Sequence, residues 1–226
     1  MAPVLPIPAW GTLPPQSPIR RPASAVGARV PYQYLGLARD IRRRIDKDAL
    51  AWGGKADALL KPFKTGVKRS KVDLVRLFHR WKKLPSAGRL GALTIALEAR
   101  GLELEEVRLY PGVITQSRWG EADEDTVDIR RVRFDLGLAS YVGDVQTVVS
   151  VGLHALARRI ERGTTAGLAP ILADLQTLAE SYRRIIEGPN SFRIPVSSGG
   201  HWRGVIMRSP DGRPQLTVRT FVGERE

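Results

Sequence analysis

The stretch "VQTVVSVGLHALARRIERG", residues 145–163, changes its hydrophobic period halfway along. Val145–Val151 is a β-branched run of the kind that fills a buried strand. From Gly152 onward the apolar residues fall at Leu153, Leu156, Ala157 and Ile160, the i, i+3, i+4, i+7 stripe of an amphipathic helix. A strand feeding a helix fixes the local order of elements, and the segments on either side show what it belongs to. Upstream, "EVRLYPGVITQ" (106–116) and "DIRRVRFDL" (128–136) alternate as strands do, with "WGEADEDTVD" (119–128) as an acidic loop between them. Downstream, "LAPILADLQTLAESYRRII" (168–186) has helical period, and "FRIPVSS", "HWRGVIMRS" and "PQLTVRTFV" read as three closing strands. Residues 106–226 are therefore expected to form an α+β domain in which two helices pack on an antiparallel sheet.

The 105 residues before it have a different character. Residues 1–31 hold eight of the sixteen prolines and predict an extended arm. Residues 32–105 predict a basic helical region. "YLGLARDIRRRIDKDAL" places Leu35, Ala38, Ile41 and Ile45 at helical spacing. "SKVDLVRLFHRWKKL" follows, with Ser70 as N-cap and Val72, Val75, Leu77, Phe78 and Trp81 as its apolar side. "SAGRLGALTIALEARG" predicts a third helix, begun by Ser86 and stopped by Gly101.

Composition bounds the function. With no cysteine, disulfides, thiolate catalysis and the usual zinc sites are excluded, and a reducing cytoplasm is the expected compartment. No apolar run approaches the length of a membrane span, and the proline-broken start does not read as a secretory signal. Net charge is +13, and the first 105 residues carry 20 of the 36 Lys/Arg but only eight of the 23 Asp/Glu. Such an imbalance points to a polyanionic partner, nucleic acid, with RNA before DNA. Arg42, Arg43, Arg76, Arg80, Lys82 and Lys83 are the expected phosphate contacts, with His79 a surface histidine among them.

The chemistry-bearing positions lie in the second half. His154, Arg158 and Arg162 run down one flank of the 153–162 helix at i, i+4, i+8 and can face one cleft. A histidine in a helix's first turn tends to be neutral near pH 7, because the helix N-terminus disfavours the imidazolium. The arginines offer forks suited to phosphate. A two-residue turn at Asp211-Gly212 would pair Val205 with Val218 and Met207 with Leu216 on the core face, and carry His201, Arg203 and Thr220 on that face's far end, with Trp202 and Phe221 opposite. Two histidines, several arginines including Arg219, a hydroxyl and no metal cluster suit RNA cleavage by the 2′-hydroxyl, with His154, His201 and Thr220 catalytic and Arg158, Arg162, Arg203 and Arg219 on the phosphate. No cofactor and no metal is expected.

The run His154, Ala155, Arg158, Arg162, Gly163 is similar to a helix motif in small bacterial toxin–antitoxin and mobile-element domains, in which the helix precedes an antiparallel sheet whose last strand carries a threonine. Thr217 or Thr220 of "LTVRTFV" would match it. Residues 144–222 thus resemble the barnase/colicin/RelE-like ribonuclease fold. The resemblance implies a metal-independent, cytoplasmic endoribonuclease of toxin or defence type, with an acidic antitoxin as partner. Two other readings stay open from the residues themselves: a non-enzymatic nucleic-acid-binding accessory protein of a phage or mobile element, and a structural assembly protein.

Overall fold

The computed structural model describes residues 30–97, 101–114, 124–164, 167–209 and 211–223. The proline-rich arm, apart from its last two residues, lies outside them. Helix α1 (Tyr32–Leu60) is followed by a 3₁₀ turn (Phe63–Thr65) and α2 (Lys71–Trp81). Four strands come next: β1 (Arg89–Leu97), β2 (Gly101–Ile114), β3 (Glu124–Gly137) and β4 (Tyr141–Gly152). Helices α3 (Leu153–Arg162) and α4 (Leu168–Ile186) lead to β5 (Ser191–Pro195), β6 (His201–Arg208) and β7 (Pro214–Val222). All seven strands form one sheet in the order β1-β2-β3-β4-β7-β6-β5. The fold class is α+β. One pair is not antiparallel: β4 and β7 run parallel, with Val149, Ser150 and Val151 opposite Leu216, Thr217 and Val218.

The opening stretch behaves as its period change predicts. Val148–Gly152 are all buried, as befits a central strand covered on both faces, and the chain passes from Gly152 into α3 with no loop. A Cβ at Gly152 would lie 2.3 Å from Oε1 of Glu124, so any larger residue there would displace that side chain. That carboxylate accepts a hydrogen bond of 3.4 Å from the His154 backbone N–H. It thus places negative charge at the start of the helix, where the backbone dipole favours it.

The third helix expected near residue 90 is a strand instead. "RLGALTIAL" pairs with β2, Arg89 opposite Arg108 and Leu97 opposite Leu102, with a register shift between Leu90 and Thr94. Alanine and leucine allow a helix, but Thr94 and Ile95 suit a pleated edge, and the open edge of β2 supplies a ladder that an isolated helix lacks. Ser86 accordingly sits in a turn, its carbonyl accepting from the Arg89 N–H at 3.0 Å, rather than capping a helix. β2 also runs across the boundary expected at 105. At the other end of the expected acidic loop, residues 124–128 belong to β3, and residues 115–123 are outside the described set.

Two apolar clusters hold the layers. One joins the first half of α1, α3 and α4 to the centre of the sheet; the other joins Trp52, Leu60, Phe63, Leu74, Leu77 and Trp81 to the far ends of β2 and β3. At 1.5 Å per residue, α1 is about 43 Å long and reaches both. Its middle is fixed by a buried network. Asp48 accepts from Nη2 of Arg108 and from the Gly88 N–H, both at 2.8 Å, while Trp52 stacks 4.6 Å from the same guanidinium. Side chains alternate along β2, so Arg108 faces α1, and its neighbour Val107 faces the groove walled by Gln176 and Ala179 of α4. The helices α1 and α4 therefore cover opposite faces. No helix among the described residues is long and apolar enough to cross a membrane.

Candidate nucleic-acid interface and histidine sites

On α3 the predicted stripe is the buried one: Leu153, Leu156 and Ala157 are buried and Ile160 packs against the same cluster. His154 stands exposed at its first turn. Its pKa is held below the usual histidine range, first by partial loss of hydration and then by the positive charge of Arg158; Glu124 and Glu161 oppose the shift. Both proximity to cations and desolvation disfavour the imidazolium. The two arginines of the flank do not project as open forks. Arg158 is 5% exposed, and its Nη1 donates to Oε2 of Glu161 at 2.8 Å. Arg162 approaches the same carboxylate oxygen at 3.7 Å and donates to the Phe221 carbonyl at 3.4 Å. Burial and Arg158 lower the Arg162 pKa. Glu161, which the i, i+4, i+8 pattern passes over, shares its charge between both.

The end of the β6–β7 pair gathers the second set. Arg203 lies opposite Thr220, as the two-residue turn predicts, and Nε of Arg203 donates to Nε2 of His201 at 2.8 Å. His201 is buried, Arg203 and Arg219 are exposed, and Thr220 is half-buried. The turn itself differs from expectation. Ser209 donates to the Arg213 carbonyl at 2.9 Å and Gly212 takes φ 79°, which makes a three-residue loop and pairs Val205 with Thr217 and Met207 with Gln215. A register shift between Arg203 and Gly204 then restores the predicted pairing beyond it. In consequence Val205 and Met207 do not face the core, and Met207 is 40% exposed. Trp202 and Phe221 pack instead, ring centroids 5.0 Å apart, with Arg159 of α3 over Phe221.

The fold does not set the two histidines side by side. His154 lies in the first turn of the helix that follows β4 and His201 belongs to β6; β7 stands between those two strands, whose backbones are about 10 Å apart. Strand alternation also turns His201, Arg203 and Thr220 away from the Phe221 face on which Arg159 lies. Among the described residues, no group of three His, Asp or Glu is placed to hold a metal.

The charge is concentrated elsewhere. Residues 61–83 carry nine Lys/Arg against one Asp, a net of +8 in 23 residues. Phe63, Leu74, Leu77 and Trp81 anchor this segment to the body, and every Lys and Arg in it is exposed except Arg69, which is half-buried. Ser70 caps α2 as predicted: its hydroxyl accepts from the Asp73 N–H and the Asp73 carboxylate accepts from the Ser70 N–H, a reciprocal pair. The buried stripe is Leu74, Leu77 and Trp81, so Val72 is not on it and is 56% exposed. Arg80, Lys82 and Lys83 are exposed on the outer side, and Lys82 lies 4.2 Å over the Phe78 ring. Arg76 is 3.7 Å from Asp73, and Lys64 is bonded to Asp57; the other seven cations form no ion pair among the described residues.

Two arginines expected to contact phosphate stand differently. Arg42 binds the body of the protein, through the carbonyls of Thr126 and Gly112 at 3.2 and 3.3 Å and Asp125 at 3.0 Å. Arg43 is exposed and paired with Asp40 at 3.0 Å. What the sequence passed over is the non-periodic segment before α2, with Lys61, Lys68 and Arg69. The density of its charge was visible in the sequence, but no helical or strand period marked the segment as ordered. The chain matches no protein-family model, and neither the curated proteins nor the solved structures include a significant match.

Proposed function

We propose that this chain is a nucleic-acid-binding protein that holds the phosphate backbone on its 61–83 surface, RNA before DNA. One observation carries the reading: a net of +8 on a segment anchored by Phe63, Leu74, Leu77 and Trp81, whose cations, all exposed but Arg69, are largely without carboxylate partners among the described residues. Exposed cations displace counterions from a polyanion, and binding of that kind weakens steeply with salt. A cytoplasmic site of action and competition by an acidic inhibitor protein belong to the same reading.

A second reading, metal-independent cleavage of the bound RNA as in the ribonuclease toxins that residues 144–222 resemble, has one observation in its favour. His154 is exposed, and its lowered pKa makes the imidazole a proton acceptor at neutral pH. Its support rests on His154 more than on the pair, since Arg203 already engages Nε2 of His201.

Anisotropy of a fluorescent RNA and a duplex DNA, measured with EDTA across a salt series, separates these readings when the same samples are resolved on a denaturing gel. Tight, salt-sensitive binding of intact RNA is the expected result. New fragments with 2′,3′-cyclic phosphate ends, lost in His154→Ala, would establish the second reading. Absence of salt-sensitive binding even at low ionic strength would refute the first.

A further inference from the structure

Between the end of α1, the 3₁₀ turn and α2 lies a groove of about 210 Å³. Its floor is apolar, Leu59 and Leu77, and its walls carry Arg69, Arg76 and Arg80, with Asp73 the only acid among the described lining residues. We propose that this groove is a seat for one phosphate group of the bound polynucleotide, held by Arg69, Arg76 and Arg80. The source of the phosphate rests on the nucleic-acid reading above; the seat itself rests on the groove.

Three features make it more than a patch of charge. First, it is concave and walled by arginine, whose planar fork matches phosphate oxygens in pairs, whereas the lysines of the segment sit on the open surface around it. Second, Arg69 is positioned before any ligand arrives. Its Nη2 donates to the Pro62 carbonyl at 2.5 Å and to the Thr65 hydroxyl at 3.2 Å, and its buried Nε–H has no partner among the described residues. A guanidinium held by the turn loses less side-chain freedom on binding than a solvated one. Third, the single acid is occupied. Oδ2 of Asp73 accepts from both the backbone and the hydroxyl of Ser70, at 3.1 and 2.8 Å, and Oδ1 faces Arg76 at 3.7 Å. Three guanidiniums against one carboxylate leave the groove with two positive charges, enough for an internal phosphodiester or a terminal phosphate.

Arg80→Gln is the decisive change, because the Arg80 side chain makes no polar contact with the described residues whose loss would disturb the fold. Arg69→Gln is the companion, and Lys82→Gln removes an equal charge outside the groove. RNA affinity should fall by at least about tenfold for each arginine change, the scale of a charge-assisted hydrogen bond, against about threefold for Lys82→Gln. Titration of the wild type with inorganic phosphate should shift amide resonances of Leu59, Leu77 and their neighbours. Comparing 5′-phosphorylated with 5′-hydroxyl RNA of one sequence identifies the source: a preference for the former means a terminal phosphate, and equal binding an internal one. If Arg80→Gln costs no more than Lys82→Gln, the seat is wrong while the nucleic-acid reading stands. If inorganic phosphate shifts the groove but RNA does not bind, the seat stands and that reading falls. Phosphate that shifts nothing in the groove overturns the seat.

Discussion

Replacing Asp48 by alanine tests whether α1 is locked to the sheet by one buried charge, and the structure sets the magnitude. Asp48 neutralises Arg108, whose side chain is fully buried, through a bond of 2.8 Å, and also accepts from the Gly88 N–H at 2.8 Å. Without it, Arg108 retains the Pro85 carbonyl at 3.1 Å and Glu106 at 3.7 Å, but Glu106 is already bound to Arg89 at 2.7 Å. Burial already pushes the Arg108 pKa down, against the pull of Glu106 and Asp48, so the protein gives this cation little margin. Breaking a buried pair from one side costs roughly 3–5 kcal/mol. The remaining Glu106 places the cost at the lower end of that range, and the orphaned Gly88 N–H adds about 1 kcal/mol. The sum is about 4 kcal/mol. For a chain of this length that corresponds to a fall in Tm of roughly 8–16 °C. The assay is urea unfolding followed by tryptophan fluorescence, since Trp52 lies on the same guanidinium. The double change Asp48→Ala with Arg108→Met should recover most of the loss, because it removes the stranded charge as well as its partner. A loss below about 1 kcal/mol in the single variant, or no recovery in the double, would refute the argument that the pair is held by mutual neutralisation.

Three further outcomes follow from the sites. Replacing Arg76, Arg80, Lys82 and Lys83 together by alanine should lower the log–log salt slope of RNA binding by about 2.8, at roughly 0.7 per lost contact on single strands. Arg42→Ala, by contrast, should leave the slope unchanged and lower the melting temperature, because its guanidinium joins α1 to β2 and β3; a reduced slope in that variant would return Arg42 to the binding surface. The His154 imidazole, followed by NMR, should titrate below the ordinary histidine value of 6.5, with Arg158→Gln raising the midpoint and Glu124→Gln lowering it. Because the folded state disfavours the proton, this group's contribution to stability is full above pH 6.5 and is lost as pH falls through the lowered midpoint. A midpoint at or above 6.5 would refute the depression by desolvation and Arg158 argued for His154.

What the sequence determined by itself is the local order. The shift of period at Gly152, the Ser70 N-cap and the alternation of "DIRRVRFDL" are properties of neighbouring residues, and each is present as read. The α+β class follows from them, because the class depends only on which elements occur and in what succession. Partnership was decided by the tertiary structure. "RLGALTIAL" has the composition of a helix and becomes a strand because β2 offers it a free edge. The hairpin register turned on one added loop residue and one compensating shift, and a slip of one residue exchanges the faces of every side chain between them. The same limit governs the sites. Helical spacing puts His154, Arg158 and Arg162 on one flank, and an i, i+4, i+8 reading passes over Glu161, which stands three residues from Arg158 and binds both arginines. Nor does spacing place β7 between β4 and β6, or show that Arg42 reaches across to β3 while Arg69, in a segment without any period, lines a groove. Which charges remain available to a ligand depends on long-range pairing, and a carboxylate distant in sequence leaves no trace beside the arginine it neutralises.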